Sequence, residues 1–164
     1  MEKSTIQDVL MQVVVVCFGT PCISGDALGP AVGSLLQSKY RAQAFVYGTL
    51  EKPINGRNMA EWINFVFEAH SDAIILAVDA GLGAKSKIGQ ISVRADGVCP
   101  AAVKGQKVRF GDVGILGIVG ESGKDALMEL LQVSSVYVDD MADKVAFMIN
   151  NTINSLRKPN LEFA

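Results

Sequence analysis

Two aspartates stand where their surroundings could make one an acid and the other a base. Asp26 lies in Gly19-Thr20-Pro21-Cys22-Ile23-Ser24-Gly25-Asp26-Ala27-Leu28-Gly29-Pro30, a stretch that follows the apolar run 13–18 and opens onto a helical pattern. Asp79 follows a second apolar run and precedes Ala80-Gly81-Leu82-Gly83. Two carboxyls held close together cannot both ionise readily. One pKa therefore rises while the other stays low, and such a pair can activate water for peptide hydrolysis. The competing reading is structural: Ser24 or Asp26 caps the helix that follows, and Asp79 closes a loop.

For the two carboxyls to meet, the runs before them must be neighbouring parallel strands. Gln12 to Phe18 is a continuous β-branched run of the kind found where both faces of a sheet are covered, and Asp72 to Val78 is another. Between them come a helix over Ala27 to Tyr40, with Pro30 in its first turn, and a short strand over Ala44 to Tyr47. A second helix carries Met59, Trp62, Ile63 and Val66 on one side. Gly89 to Arg94 alternates apolar and polar residues like an edge strand, and Gly114 to Val119 is the last core strand. Asp125 to Leu131 is a short helix, and Ser134 or Ser135 caps a long one with Val138, Met141, Ala142, Val145, Met148, Ile149 and Ile153 on its apolar face. The expected fold is a three-layer α/β/α sandwich around a mostly parallel sheet of about five strands. Trp62 and the methionines are read as core. One domain covers residues 1–164, with its core at about 12–157, a lead-in before it and a tail after Arg157.

Composition narrows the function. A net charge of −2 argues against general binding to nucleic acid, which needs concentrated Lys and Arg. No run approaches the ~20 apolar residues of a membrane span, and the amino-terminal stretch lacks a signal peptide's basic start and apolar core. The expected location is the cytoplasm. Cys17, Cys22 and Cys99 are odd in number and form no C-x-x-C pair, which suits a reducing compartment and neither a disulfide framework nor a zinc site. Cys17 reads as core. Cys22 could be a thiol nucleophile, but no histidine stands near it to serve as base, and it is read as inert or redox-sensitive.

Familiar motifs fail on single residues. Gly81-Leu82-Gly83 would need a glycine at Ser86 to bind a dinucleotide, and Gly123-Lys124 has Ile118 and Asp125 where a phosphate loop needs glycine and a hydroxyl residue. Gly120-Glu121-Ser122-Gly123-Lys124 has a lysine where a nucleophile elbow ends in glycine.

What remains resembles a family. Gly25-Asp26-Ala27-Leu28-Gly29-Pro30 and Ala77-Val78-Asp79-Ala80 resemble the germination protease that degrades small acid-soluble spore proteins. A closer similarity is to a small sporulation-protein family related to that protease. It runs from Cys17-Phe18-Gly19-Thr20 through Val46-Tyr47-Gly48-Thr49-Leu50 to Gly111-Asp112-Val113-Gly114 and Gly117-Ile118-Val119. The resemblance implies a phosphorylase/hydrolase-like fold shared with hydrogenase maturation peptidases, with Asp26 and Asp79 as the catalytic pair. It also implies small spore proteins or peptides as substrates and the cytoplasm of a spore or sporulating cell as location. A second copy of the chain is a further partner to test, with no cofactor, metal, membrane or nucleic acid expected.

Two departures bear on that expectation. Pro21-Cys22-Ile23 stands where the small family usually has Asp-Arg-Ser, so a charged pair for substrate is missing. Hydrogenase peptidases hold nickel with two carboxylates and a histidine, yet the single histidine, His70, precedes the strand that Asp79 follows, about 20 Å away at ~3.3 Å per residue. His70 is read as a solvent-facing residue at a helix end. Substrate contacts are expected from Cys22, Ser24, Gly25 and Gly81 at the same edge, and from Lys104 and Lys107 in the long loop 95–111, though such lysines more often simply meet solvent.

Overall fold

Four valines and a cysteine, all buried, form strand β1 (Val13–Cys17). A strand so apolar on both sides needs cover on both faces, and the molecule supplies it. The computed structural model describes residues 12–100 and 108–157. The chain continues through a 3-10 turn (Ser24–Ala27), α1 (Leu28–Ser38), β2 (Phe45–Tyr47), α2 (Met59–Ala69), β3 (Ile74–Gly83), β4 (Ile91–Arg94), β5 (Val113–Glu121), α3 (Ala126–Leu131) and α4 (Ser135–Arg157). The strands form a five-stranded sheet in the order β2-β1-β3-β5-β4. All neighbours are parallel except β4, which runs antiparallel to β5 at the edge.

Side-chain alternation along β1 feeds two cores. Val13, Val15 and Cys17 pack with α1 and α4, whose Val138, Met141, Ala142, Val145, Ala146, Ile149 and Ile153 recur every three or four residues. Val14, Val16 and Phe18 pack on the opposite face with Met59 and Val66 of α2, together with Ile54, Val98 and Phe110. The expected three-layer sandwich is thus the observed fold. No helix among the described residues is long and apolar enough to cross a membrane.

Several boundaries differ from the sequence reading. Asp79 does not follow its strand but lies within it, since β3 runs on to Gly83 paired with β5 through Asp79↔Leu116 and Gly81↔Ile118. Glycines that read as loop are strand here because Leu116 and Ile118 occupy the space beside Gly81 that its own side chain would need. The loop after β4 is anchored rather than free at its ends, where buried Val98 and Phe110 form a bridge. Not every methionine is core: Met128 on the short helix α3 is exposed.

Sheet order decides which loops meet. The chain leaves β1 toward β2 on one side, then returns across β1 to β3 on the other. The carboxyl ends of β1 and β3 are therefore a topological switch point, where diverging connections leave a crevice. Asp26 comes just after β1, and Asp79 lies in the carboxyl half of β3.

Candidate functional site

Asp26 does not cap α1, and neither does Ser24; neither the 3-10 turn nor α1 has a side-chain cap. The Asp26 carboxylate instead turns back over its own loop, where Oδ2 accepts the Thr20 backbone N–H at 2.7 Å. Gly19 makes that loop tight, with φ at +150° and no room for a Cβ beside the Asp26 carbonyl. Ser24 is occupied elsewhere. Its hydroxyl donates to the carbonyls of Leu130 and Leu131 at 3.2 and 3.3 Å, which ties down the carboxyl end of α3. Gly25 is buried against the Leu130 backbone, and half-buried Gly81 has Leu116 where its Cβ would stand. Cys22 is exposed and free in the same turn as Asp26. Lys104 and Lys107 lie outside the described residues.

Asp79 is only 7% exposed. Burial raises its carboxyl well above the ordinary carboxylate range, the charge of nearby Asp26 raises it further, and the Ala80 N–H, donating to Oδ1 at 2.9 Å, only partly offsets the rise. The two carboxyls are therefore electrostatically coupled. Each has one oxygen held by a backbone amide, Asp26 Oδ2 by Thr20 and Asp79 Oδ1 by Ala80. The other oxygen of each has no donor among the described residues. No fully buried side-chain oxygen among those residues lacks a partner, so Asp79 Oδ2 opens to the surface. The arrangement can present one carboxyl that keeps its proton beside a second carboxyl with a free oxygen.

Cys17 borders this pair from the core. Burial, and then the charge of Asp79, push its thiol far up, which makes it a poor nucleophile. His70 is not the solvent-facing residue expected from its helix-end position. It is 7% exposed, with Nε2 2.8 Å from the Tyr47 hydroxyl and Nδ1 3.3 Å from Gln12 Oε1. Phe45 stacks on its ring at 4.6 Å between centroids. Three aromatic neighbours from β2 and α2, Phe45, Tyr47 and Phe65, account for this burial, and helix periodicity gives no sign of them. A nickel site of two carboxylates and a histidine does not fit: the single histidine is committed to Tyr47 and Gln12. Among the described residues, no three His, Cys, Asp or Glu side chains gather where they could hold a metal.

Two features were not foreseen, the first at the amino ends of β3 and β5, opposite the carboxyl pair, and the second at the edge itself. Asp112 acts as a piece of main chain, because its Oδ2 accepts the Ile75 N–H while its own N–H donates to the Ile75 carbonyl, both at 2.8 Å, and this aligns β5 with β3. The segment 48–58 is clamped against the Asp26 turn, since Gly19 N–H donates to the Ile54 carbonyl at 2.9 Å. Gly48 permits this approach, with φ at +87° and the Cys17 carbonyl where its Cβ would stand. Gly48 and the Asn55-Gly56 turn are the sequence signals for that segment.

Residues 2–148 match the model of a family described as "Protein of unknown function (DUF1256)". The chain is 38% identical over 112 residues to a protein of Bacillus subtilis (strain 168) described as the uncharacterized protein YyaC. That alignment covers 68% of this chain and 55% of the Bacillus protein, so the chain spans about half the length of the curated relative it matches. Among solved structures, the NiFe hydrogenase maturation protease HycI from Thermococcus kodakarensis KOD1 is similar in fold, with a TM-score of 0.57 at 16% identity. The match covers 92% of this chain and 99% of the protease.

Proposed function

The chain belongs to the DUF1256 family, and we propose that this member is a peptidase in which Asp26 and Asp79 act together on water and the scissile peptide. The observation that carries the reading is the carboxyl pair at the switch point, with Asp79 buried, its carboxyl raised above the ordinary range by burial and by Asp26, and its Oδ2 open. The fold shared with a hydrogenase maturation protease agrees with it.

In this reading Asp26 Oδ1, left free by the Thr20 clamp on Oδ2, accepts a proton from water as the water oxygen bonds to the peptide carbon. Asp79 gives its proton to the carbonyl oxygen, and the tetrahedral carbon then expels the amine as the C–N bond breaks. The amine takes up the proton held on Asp26, and the carbonyl re-forms by returning a proton to Asp79. Atoms and charges balance with no further group, and the pair ends as it began. Substrates on this reading are small spore proteins or peptides in a spore or sporulating cell, as the resemblance of the Asp26 and Asp79 segments to the germination protease implies.

A second reading keeps the crevice without the chemistry. The pre-shaped segment 48–58, held to Gly19 through Ile54 and exposed at Leu50, Glu51, Lys52, Gly56 and Arg57, would suit a protein that only binds a peptide or protein partner. Purified small acid-soluble spore proteins incubated with the wild type, Asp26→Asn and Asp79→Asn, and read by mass spectrometry, separate the two. Defined fragments from the wild type alone support the peptidase. Retention of the substrate in complex without fragments supports the binding protein.

A further inference from the structure

On the segment whose Ile54 carbonyl accepts the Gly19 N–H, Lys52, Pro53, Asn55, Arg57, Asn58 and Trp62 line an open depression of about 370 Å³. A second depression, of about 210 Å³, shares Lys52 and Trp62 and extends along Val46, Tyr47 and Gly48 toward Gln37. Together they form a trough running alongside the segment that Gly19 holds to the Asp26 turn. Its walls are fixed in advance. Asn55 N–H donates to Asn58 Oδ1 and Arg57 N–H to Asn55 Oδ1, at 2.9 and 3.1 Å, while Asn58 Nδ2 donates to the Pro53 carbonyl at 3.0 Å. Thr49 and Lys52 exchange a further pair of bonds at 3.1 Å, and Leu50 N–H donates to Ser34 Oγ at 2.9 Å. A loop so braced loses little freedom when a ligand binds.

The charges in the larger depression are of one sign. Among the described residues, Lys52 and Arg57 are the only charged residues lining it, and neither pairs with a carboxylate. Glu51 lines only the smaller one. Trp62, half-buried in both, offers an apolar wall between them. We infer that this trough is the peptide-binding subsite of the Asp26–Asp79 centre and that it selects an extended segment carrying a carboxylate next to an apolar side chain. The carboxylate seats between Lys52 and Arg57, and the apolar neighbour lies on Trp62. This rests on the peptidase reading for its catalytic meaning, but the binding itself does not. The carboxylate has two sources, an acidic side chain within a chain or the free end of one.

The chain has a single tryptophan, so fluorescence excited selectively in tryptophan and not in the three tyrosines reports on this site alone. The experiment titrates full-length Asp79→Asn, which binds without turnover, with three short peptides free of aromatic residues. One is Ac-Ala-Ala-Leu-Glu-Ala-Ala-amide, one replaces Glu with Gln, and one has Gln with a free terminal carboxylate after Leu. Saturable change with the Glu amide, at least tenfold weaker with the Gln amide and weakened by added salt, is the expected result and assigns an internal acidic residue. Saturation by the free-carboxylate peptide alone also supports the subsite and assigns a chain end. Equal binding of the Gln amide, or no saturable change with any peptide, overturns it. Lys52→Gln combined with Arg57→Gln, both exposed positions, is expected to weaken the favoured peptide at least tenfold with an unchanged circular dichroism spectrum. If that variant binds as tightly as its parent, the assignment fails whether or not spore proteins are cleaved.

Discussion

At the scale of single residues, burial sets the behaviour of Asp79. Because the fold raises its carboxyl above the ordinary value of 3.8, the folded state keeps this proton to higher pH than the unfolded chain does. Stability from this group is therefore complete below that value and falls as pH rises toward the folded-state value. Asp79→Asn, which cannot ionise, should gain on the wild type in melting temperature as pH rises and match it most nearly in acid; a parallel pair of melting curves across pH would count against the raised carboxyl. The same substitution should lower peptide cleavage by about 10²–10⁴-fold, the usual loss of one general acid or base, with secondary structure intact. The pair itself was legible, because an aspartate after an apolar run needs no partner to be noticed. The Thr20 clamp on Asp26 was not, since a main-chain donor carries no side-chain signature. The packing of Ser24 and Gly25 against Leu130 of α3 was equally invisible, because its partners are backbone atoms about a hundred positions away.

At the scale of elements, close backbone approach holds the edge together. Gly29 lets α1 lie on the Phe18 carbonyl, and Gly48 lets the segment after β2 cross the Cys17 carbonyl. Gly48→Ala forces a left-handed residue to carry a Cβ against that carbonyl, so it should cost about 1–3 kcal/mol from the backbone alone. Chemical denaturation measures it, and a neutral result would mean that the segment can move aside. Tyr47→Phe leaves buried His70 without its 2.8 Å partner and should cost about 1–3 kcal/mol. The strands were legible from their runs of β-branched residues, and β4 from its alternation. The extension of β3 through Gly81 was not, because glycine reads as loop unless the side chains across the ladder that fill its space, here Leu116 and Ile118, are known. His70 was misplaced for a similar reason: the residues that bury it, Phe45 and Tyr47, come from a strand about two dozen positions earlier in the chain.

At the scale of the whole molecule, sheet order turns two distant turns into one crevice. Parallel strands and covering helices follow from the pattern of the sequence, but the order β2-β1-β3-β5-β4 is a packing outcome that no local pattern encodes. That order makes the carboxyl ends of β1 and β3 the switch point, and it brings the 48–58 trough beside them. All of the chemistry proposed above depends on Asp26 and Asp79 acting as one acid/base unit. The most direct measurement is the titration of the Asp79 side-chain carboxyl, observed by carbon-13 NMR in the wild type and in Asp26→Asn. A midpoint well above 3.8 that falls once Asp26 loses its charge is the expected result. An ordinary midpoint for Asp79, the same in both proteins, would contradict the account.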